Sequence, residues 1–137
     1  MSKRIFSFIG LMALMVLMTG LLTAAAPVPV TTFTLEQGLP SVMNVGDTNT
    51  VIVRVDTDQP FIFAQALPSE FFPGRGVVAA RGEHVGRGTT ATLSVPFHAK
   101  TSTLRFGGPV LVSVSVGVRY SNGYVAVQRF DFNVSVP

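Results

Sequence analysis

Apolar residues recur at every second position along most of this chain, and past residue 30 no stretch sustains the 3.6-residue apolar period of a helix. From Thr50 to Asp56, Val51, Val53 and Val55 share one face, with Thr50, Ile52 and Arg54 on the other. That alternation predicts a half-buried strand. Phe61 to Leu67, bounded by Pro60 and Pro68, predicts a second. Gly76 to Ala80 gives a short third, and Thr89 to Val95, closed by Pro96, a fourth. Thr103 to Phe106, ended by Gly107-Gly108-Pro109, gives a fifth, and residues 31–37 make the opening strand.

The clearest element closes the chain. Val110, Val112, Val114, Val116, Val118 and Tyr120 occupy one face, with Ser113, Ser115 and Arg119 opposite. Asn122-Gly123 follows and supplies the two positive φ values of a type I′ hairpin turn. On the return strand Phe130, Phe132, Val134 and Val136 face inward, and Arg129, Asp131, Asn133 and Ser135 outward. Tyr124 to Gln128 does not hold that inner face, which predicts a bulge or an exposed edge near Val127.

About seven short strands, with turn signals every 8–12 residues, fit an all-β domain over residues 31–137. The expected fold is a single antiparallel immunoglobulin-like β-sandwich, preceded by an N-terminal hydrophobic export helix. Two segments carry the likeness: Asn44-Val45-Gly46-Asp47 leading into Thr50 to Val55, and the closing run Phe130 to Val136. In these the chain resembles bacterial extracellular immunoglobulin-like modules. It departs from antibody-type domains in having no cysteine and no tryptophan. The resemblance implies a spacer, adhesion unit or assembly subunit. A transmembrane barrel also alternates, but it wants aromatic girdles and commonly closes on an aromatic residue, where this chain reads Val136-Pro137.

The N-terminus changes the picture. Lys3 and Arg4 precede an apolar run from Ile5 to Leu22, followed by Thr23-Ala24-Ala25-Ala26. That order is the layout of a secretory signal peptide, with the basic end left in the cytoplasm. Cleavage after Ala25 leaves Thr23 and Ala25 as the small residues at the usual spacing. About 18 apolar residues can also span a bilayer, so an uncleaved anchor is the alternative. A lipoprotein anchor would need a cysteine, and there is none. Residues 26–30, Ala-Pro-Val-Pro-Val, read as an extended spacer.

Removing the first 25 of 137 residues leaves 112, enough for one domain. Lys3 and Arg4 are two of the ten cations, so the exported part carries eight against seven acids. That balance is no electrostatic footprint for nucleic acid, and membrane contact is expected only through the N-terminal segment. Four of the five methionines lie in the export segment and cysteine is absent, which excludes methionine-rich and blue-copper sites. His84 and His98 have no ligand partner at helical or strand spacing, so no metal or cofactor site is expected. No Gly-x-Ser-x-Gly elbow or comparable set marks a nucleophile, and no catalytic residue is assigned.

Three segments are candidates for contact. Arg75, Arg81 and Arg87 stand among the glycines of residues 73–88, where forked donors on adaptable backbone would suit a polyanion or acidic glycan. The competing reading is two ordinary glycine turns with arginine for solubility. Phe71 and Phe72 are adjacent, so one face of a strand cannot take both, and an exposed ring beside arginine suits a partner contact. A corner that buries both is the alternative. Val28, Val30, Phe33 and Leu35 lie in a segment that either opens the domain's own sheet or donates a strand to a neighbour. Asn133-Val134-Ser135 is formally a glycosylation sequon inside a strand.

The expectation is an exported module acting through a protein partner or self-assembly, at the cell surface or in the periplasm. A solute-, glycan- or polyanion-binding module built on residues 73–88 is the alternative. The intact mass of protein recovered from a secreting host should correspond to a chain starting at Ala26. A full-length mass would show the anchor instead.

Overall fold

The computed structural model describes residues 27–70 and 76–137. The export segment therefore lies outside the described residues. Within them run seven strands: β1 (Thr31–Gln37), β2 (Thr48–Glu70), β3 (Val77–Ala79), β4 (Glu83–Val85), β5 (Gly88–Ala99), β6 (Val110–Tyr120) and β7 (Val125–Val134). All pair antiparallel and belong to one sheet, with one short 3₁₀ turn at Leu104–Phe106.

β2 organises that sheet. Its residues 48–56 pair with β5, and residues 52–57 with β1. Its residues 61–70 pair with β6, and residues 64–66 with β4. One strand thus serves two leaves, ordered β1-β2-β5-β3 and β4-β2-β6-β7. The separate sheets of an immunoglobulin sandwich are replaced by a single sheet turned back at a corner.

The corner explains why two expected strands are one. Asp56 faces Thr90 and Phe61 faces Gly88, so four β2 residues lie opposite Thr89 alone. Such an excess on one strand bends it sharply. Pro60 falls inside the bend, where its missing N–H removes no regular ladder bond. Pro68 lies beyond the reach of β4, where β2 keeps one partner, the position a sheet tolerates for proline. Thr57 holds the bend by donating its hydroxyl to the Gln59 carbonyl (2.7 Å) and the Thr89 carbonyl (3.1 Å).

The arm before β1 is fastened to the same corner. The Val30 N–H donates to Asp58 Oδ1 (2.8 Å), Asp58 N–H donates back to the Val30 carbonyl (3.3 Å), and Gln59 Nε2 donates to the Pro27 carbonyl (3.0 Å). Pro29 is buried there. β1 then pairs with β2, slipping one residue at Glu36.

Both leaves turn their apolar faces onto one core. Val51, Val53, Leu93, Val95 and Phe97 come from one leaf, and Phe61, Ala64, Val114, Val116 and Tyr120 from the other, all 2% exposed or less. Period-2 alternation forces this arrangement, because it sets one apolar row per strand. Tyr120 brings a hydroxyl into the core and meets Thr31 Oγ1 at 2.6 Å, so its polar tip is satisfied.

Two local expectations fail for physical reasons. Thr103 to Phe106 is not a strand. Thr103 is buried, its N–H donates to the Val136 carbonyl (2.8 Å) and its Oγ1 accepts from the Val136 N–H (2.9 Å), which turns the following residues outward. Gly76 packs beneath it at φ 86°, and a Cβ there would sit 2.5 Å from Thr103 Cγ2. The closing hairpin is also not type I′, since Asn122 keeps a negative φ and Gly123 alone is positive, at 86°. Gly123 N–H donates to the Tyr120 carbonyl (3.0 Å) and Tyr120 N–H to the Tyr124 carbonyl (2.9 Å). This is the three-residue loop whose last residue is left-handed glycine.

β7 is regular along β6, without the bulge considered for residue 127, while Val125 and Val127 are 52% and 64% exposed. The alternative of edge exposure holds. Replacing fully buried Leu93 by Ala should lower unfolding free energy by about 2–5 kcal/mol in a urea titration. Thr92→Ala, one residue away and exposed, should change it by less than about 0.5 kcal/mol.

Candidate functional site

Three surface features arise from this arrangement. The first is a polar cleft of about 440 Å³ where β4 meets β5, lined by Thr50, Arg81, Gly82, Glu83, His84, Ser94 and Pro96. Below β3 no strand among the described residues lies beside the open side of β5, and Glu83 reaches across to accept the Ser94 N–H. The side chain thereby does the work of a missing strand. It also puts a carboxylate in the cleft that contains Arg81, which opposes an anionic occupant.

The second feature is a groove of about 340 Å³ on the outer face of the β2-β6-β7 leaf, lined by Phe63, Gln65, Gly117, Val118, Arg119, Gly123, Val125 and Val127. Gly117 makes it. It pairs with Gln65 on one side and Val127 on the other, and a Cβ placed on it would touch nothing closer than 3.8 Å. Glycine inside a strand leaves room for another group to approach the backbone. Phe63 forms one wall, and His84 stacks on it with ring centroids 5.2 Å apart.

The third is the outer edge of β7. The Tyr120–Tyr124 bond fixes the parity of the ladder. With the β6 register, even-numbered β7 residues bond to β6 and odd-numbered ones turn their N–H and C=O away from it. Ser135 obeys the same parity and uses its outward groups: its N–H donates to the Ser41 carbonyl (2.8 Å) and its carbonyl accepts from Met43 N–H (2.9 Å). Residues 41–43 therefore cover the C-terminal end of this edge. Its other end, around Val125 and Val127, carries no strand among the described residues.

Charge sits farther along the same strand. Ser113 is fully buried and donates its hydroxyl to Asp131 Oδ1 (2.7 Å), and Arg129 Nε pairs with the same oxygen (2.7 Å). The Ser113 hydrogen bond first, and Arg129 second, hold the Asp131 carboxyl below its ordinary value.

The sequence-derived candidates are distributed rather than gathered. Phe71, Phe72 and Arg75 lie outside the described residues. Arg81 and Arg87 are both exposed but stand beyond opposite ends of β4, so β4 separates them. Phe33 packs against the core, Leu35 is 39% exposed, and Val28 and Val30 are 65% and 62% exposed on the arm before β1. Among the described residues no three metal-ligating side chains converge. The groove went unread in the sequence, although one signal existed: Gly117 interrupts the outward row Ser113, Ser115, Arg119.

No family model matches the chain, and no curated protein matches it. Among solved structures it is similar to native alpha-2-macroglobulin from Escherichia coli, in the part from domain MG7 to the C-terminus, at 17% identity and a TM-score of 0.46. That likeness covers 82% of this chain, which spans only 17% of the other. A conjugative transposon lipoprotein from Bacteroides eggerthii is similar over 74% of this chain and 95% of its own, at 12% identity and a TM-score of 0.41. AvmM, which catalyses macrocyclization in alchivemycin A biosynthesis, is similar over 78% of this chain and 88% of its own, at 10% identity and 0.42. At these identities and scores the likenesses carry no conclusion about activity, partners or location.

Proposed function

We propose that this chain is an exported module that works by protein–protein contact, as a structural, adhesion or assembly subunit at the cell surface or in the periplasm. The observation that carries the reading is the β7 edge. Val125 and Val127 are 52% and 64% exposed on the outer face, next to a groove walled by Phe63, and Tyr124 at the hairpin is 41% exposed on the opposite face, beside Tyr120. Contiguous exposed apolar surface on a small domain costs solubility and is characteristic of a contact site. The N-terminal order of basic, apolar and small residues supports export.

The anion-binding alternative has less support. Arg81 and Arg87 flank different ends of β4, and Glu83 lies in the Arg81 cleft. A contact module should be recovered from its native host, under mild conditions, in a particle larger than one copy. Light scattering on the native extract fraction checks this, and a lone single-copy species would overturn the reading.

A further inference from the structure

We infer that the open end of β7 pairs antiparallel with β7 of a second copy, across a two-fold axis beside Ala126. This deepens the contact reading above and rests on it.

Three constraints favour this register. The first is backbone parity. Val125 and Val127 point their N–H and C=O away from β6, so these residues can form a new ladder without breaking the existing one. The second is space. Residues 41–43 occupy the outer side of Ser135, so an added strand cannot extend past the end of β7. In an antiparallel pair the partner's hairpin points that way. The overlap must therefore centre toward the hairpin end, not on the middle of β7.

The third constraint is side-chain chemistry. Centring on Ala126 sets Val125 of each copy opposite Val127 of the other, so exposed apolar side chains cover one another on the outer face. The two Ala126 residues meet at the close, non-hydrogen-bonded pair, where a small side chain fits. Arg129 then lies toward the second copy's hairpin loop, Ser121 to Gly123, which carries no charge. Centring on Arg129 instead would oppose two arginines, which is unfavourable.

The same surface patch serves both copies, as two-fold symmetry requires. Phe63 and Gly117 border the joined valines, so the groove continues into the contact. β7 begins at Val125, so in this register the two strands overlap only over Val125–Val127, well below about 1,200 Å² in total, which implies a dimer that dissociates on dilution.

The test uses the full chain, expressed in a secreting host and recovered as that host processes it. Sedimentation between about 10 µM and about 1 mM should show wild-type monomers passing into dimers. Val127→Pro removes an N–H that points away from β6, so it should keep the circular dichroism spectrum and stay monomeric at the highest concentration. Val127→Lys keeps the N–H, removes the apolar contact, and should weaken association by tenfold or more; it serves if the proline variant does not fold. A wild-type chain that stays monomeric throughout overturns the pairing. So do dimers of both variants as tight as wild type, and that result would leave the contact reading standing on other surfaces. A lone copy in the native extract would instead remove the contact reading itself.

Discussion

The fold depends on one bend in one strand. β2 runs through both leaves, and the four residues Thr57 to Pro60 set against Thr89 turn it from one to the other. A strand that continued straight would leave Val51, Val53 and Val55 on a leaf with nothing to cover them. The bend brings Phe61, Ala64 and Ala66 over to the same core. It is held from three directions: the Thr57 hydroxyl, the reciprocal bonds of Val30 with Asp58, and the buried ring of Phe61 beside Tyr120. Backbone hydrogen bonds and burial therefore enforce the same geometry, as a well-specified sequence requires.

A folded sheet has edges, and the way each is handled separates structure from function. Edges left open invite unwanted pairing, so proteins cover them or shorten them. Here β4 has three residues, and Glu83 covers the adjacent stretch of β5. Residues 41–43 cover β7 at Ser135. The outer edge of β1 has no strand beside it either among the described residues, but β1 slips register at Glu36; the stretch around Val125 and Val127 is regular, apolar and uncovered among the described residues. The charged pair Arg129–Asp131, anchored on Ser113, marks where the apolar stretch ends. Gly117 opens the neighbouring groove at no cost to the core, since its inward neighbours Val116 and Val118 remain buried.

Much of this was readable from alternation. The row Val110 to Tyr120 and its return over Phe130, Phe132 and Val134 appear as β6 and β7, and Val51, Val53 and Val55 are buried as their spacing required. Proline misled, because Pro60, Pro68 and Pro96 lie within strands rather than ending them. Sequence cannot say whether a given N–H is needed by a neighbour, and that is what decides whether proline is tolerated. Thr103 to Phe106 has strand-like residues, but the long-range bonds between Thr103 and Val136 decide its shape. The hairpin loop was placed correctly and its type was not, for Asn122 keeps ordinary φ when three residues share the turn. Of the contact surface two parts had a local signal: Tyr124 to Gln128, which does not hold the inner face, and the glycine at 117 beside the groove. Whether an edge is left uncovered depends on residues 41–43, nearly a hundred positions away.

The central claim is that the uncovered end of β7 is where this module meets another protein. A photoreactive side chain introduced at Val127, with one at Thr92 on the outer face of the other leaf as reference, tests it in the native host. The account predicts covalent adducts of defined size from position 127 and none from position 92. Adducts absent at 127, or equal at both positions, would contradict it.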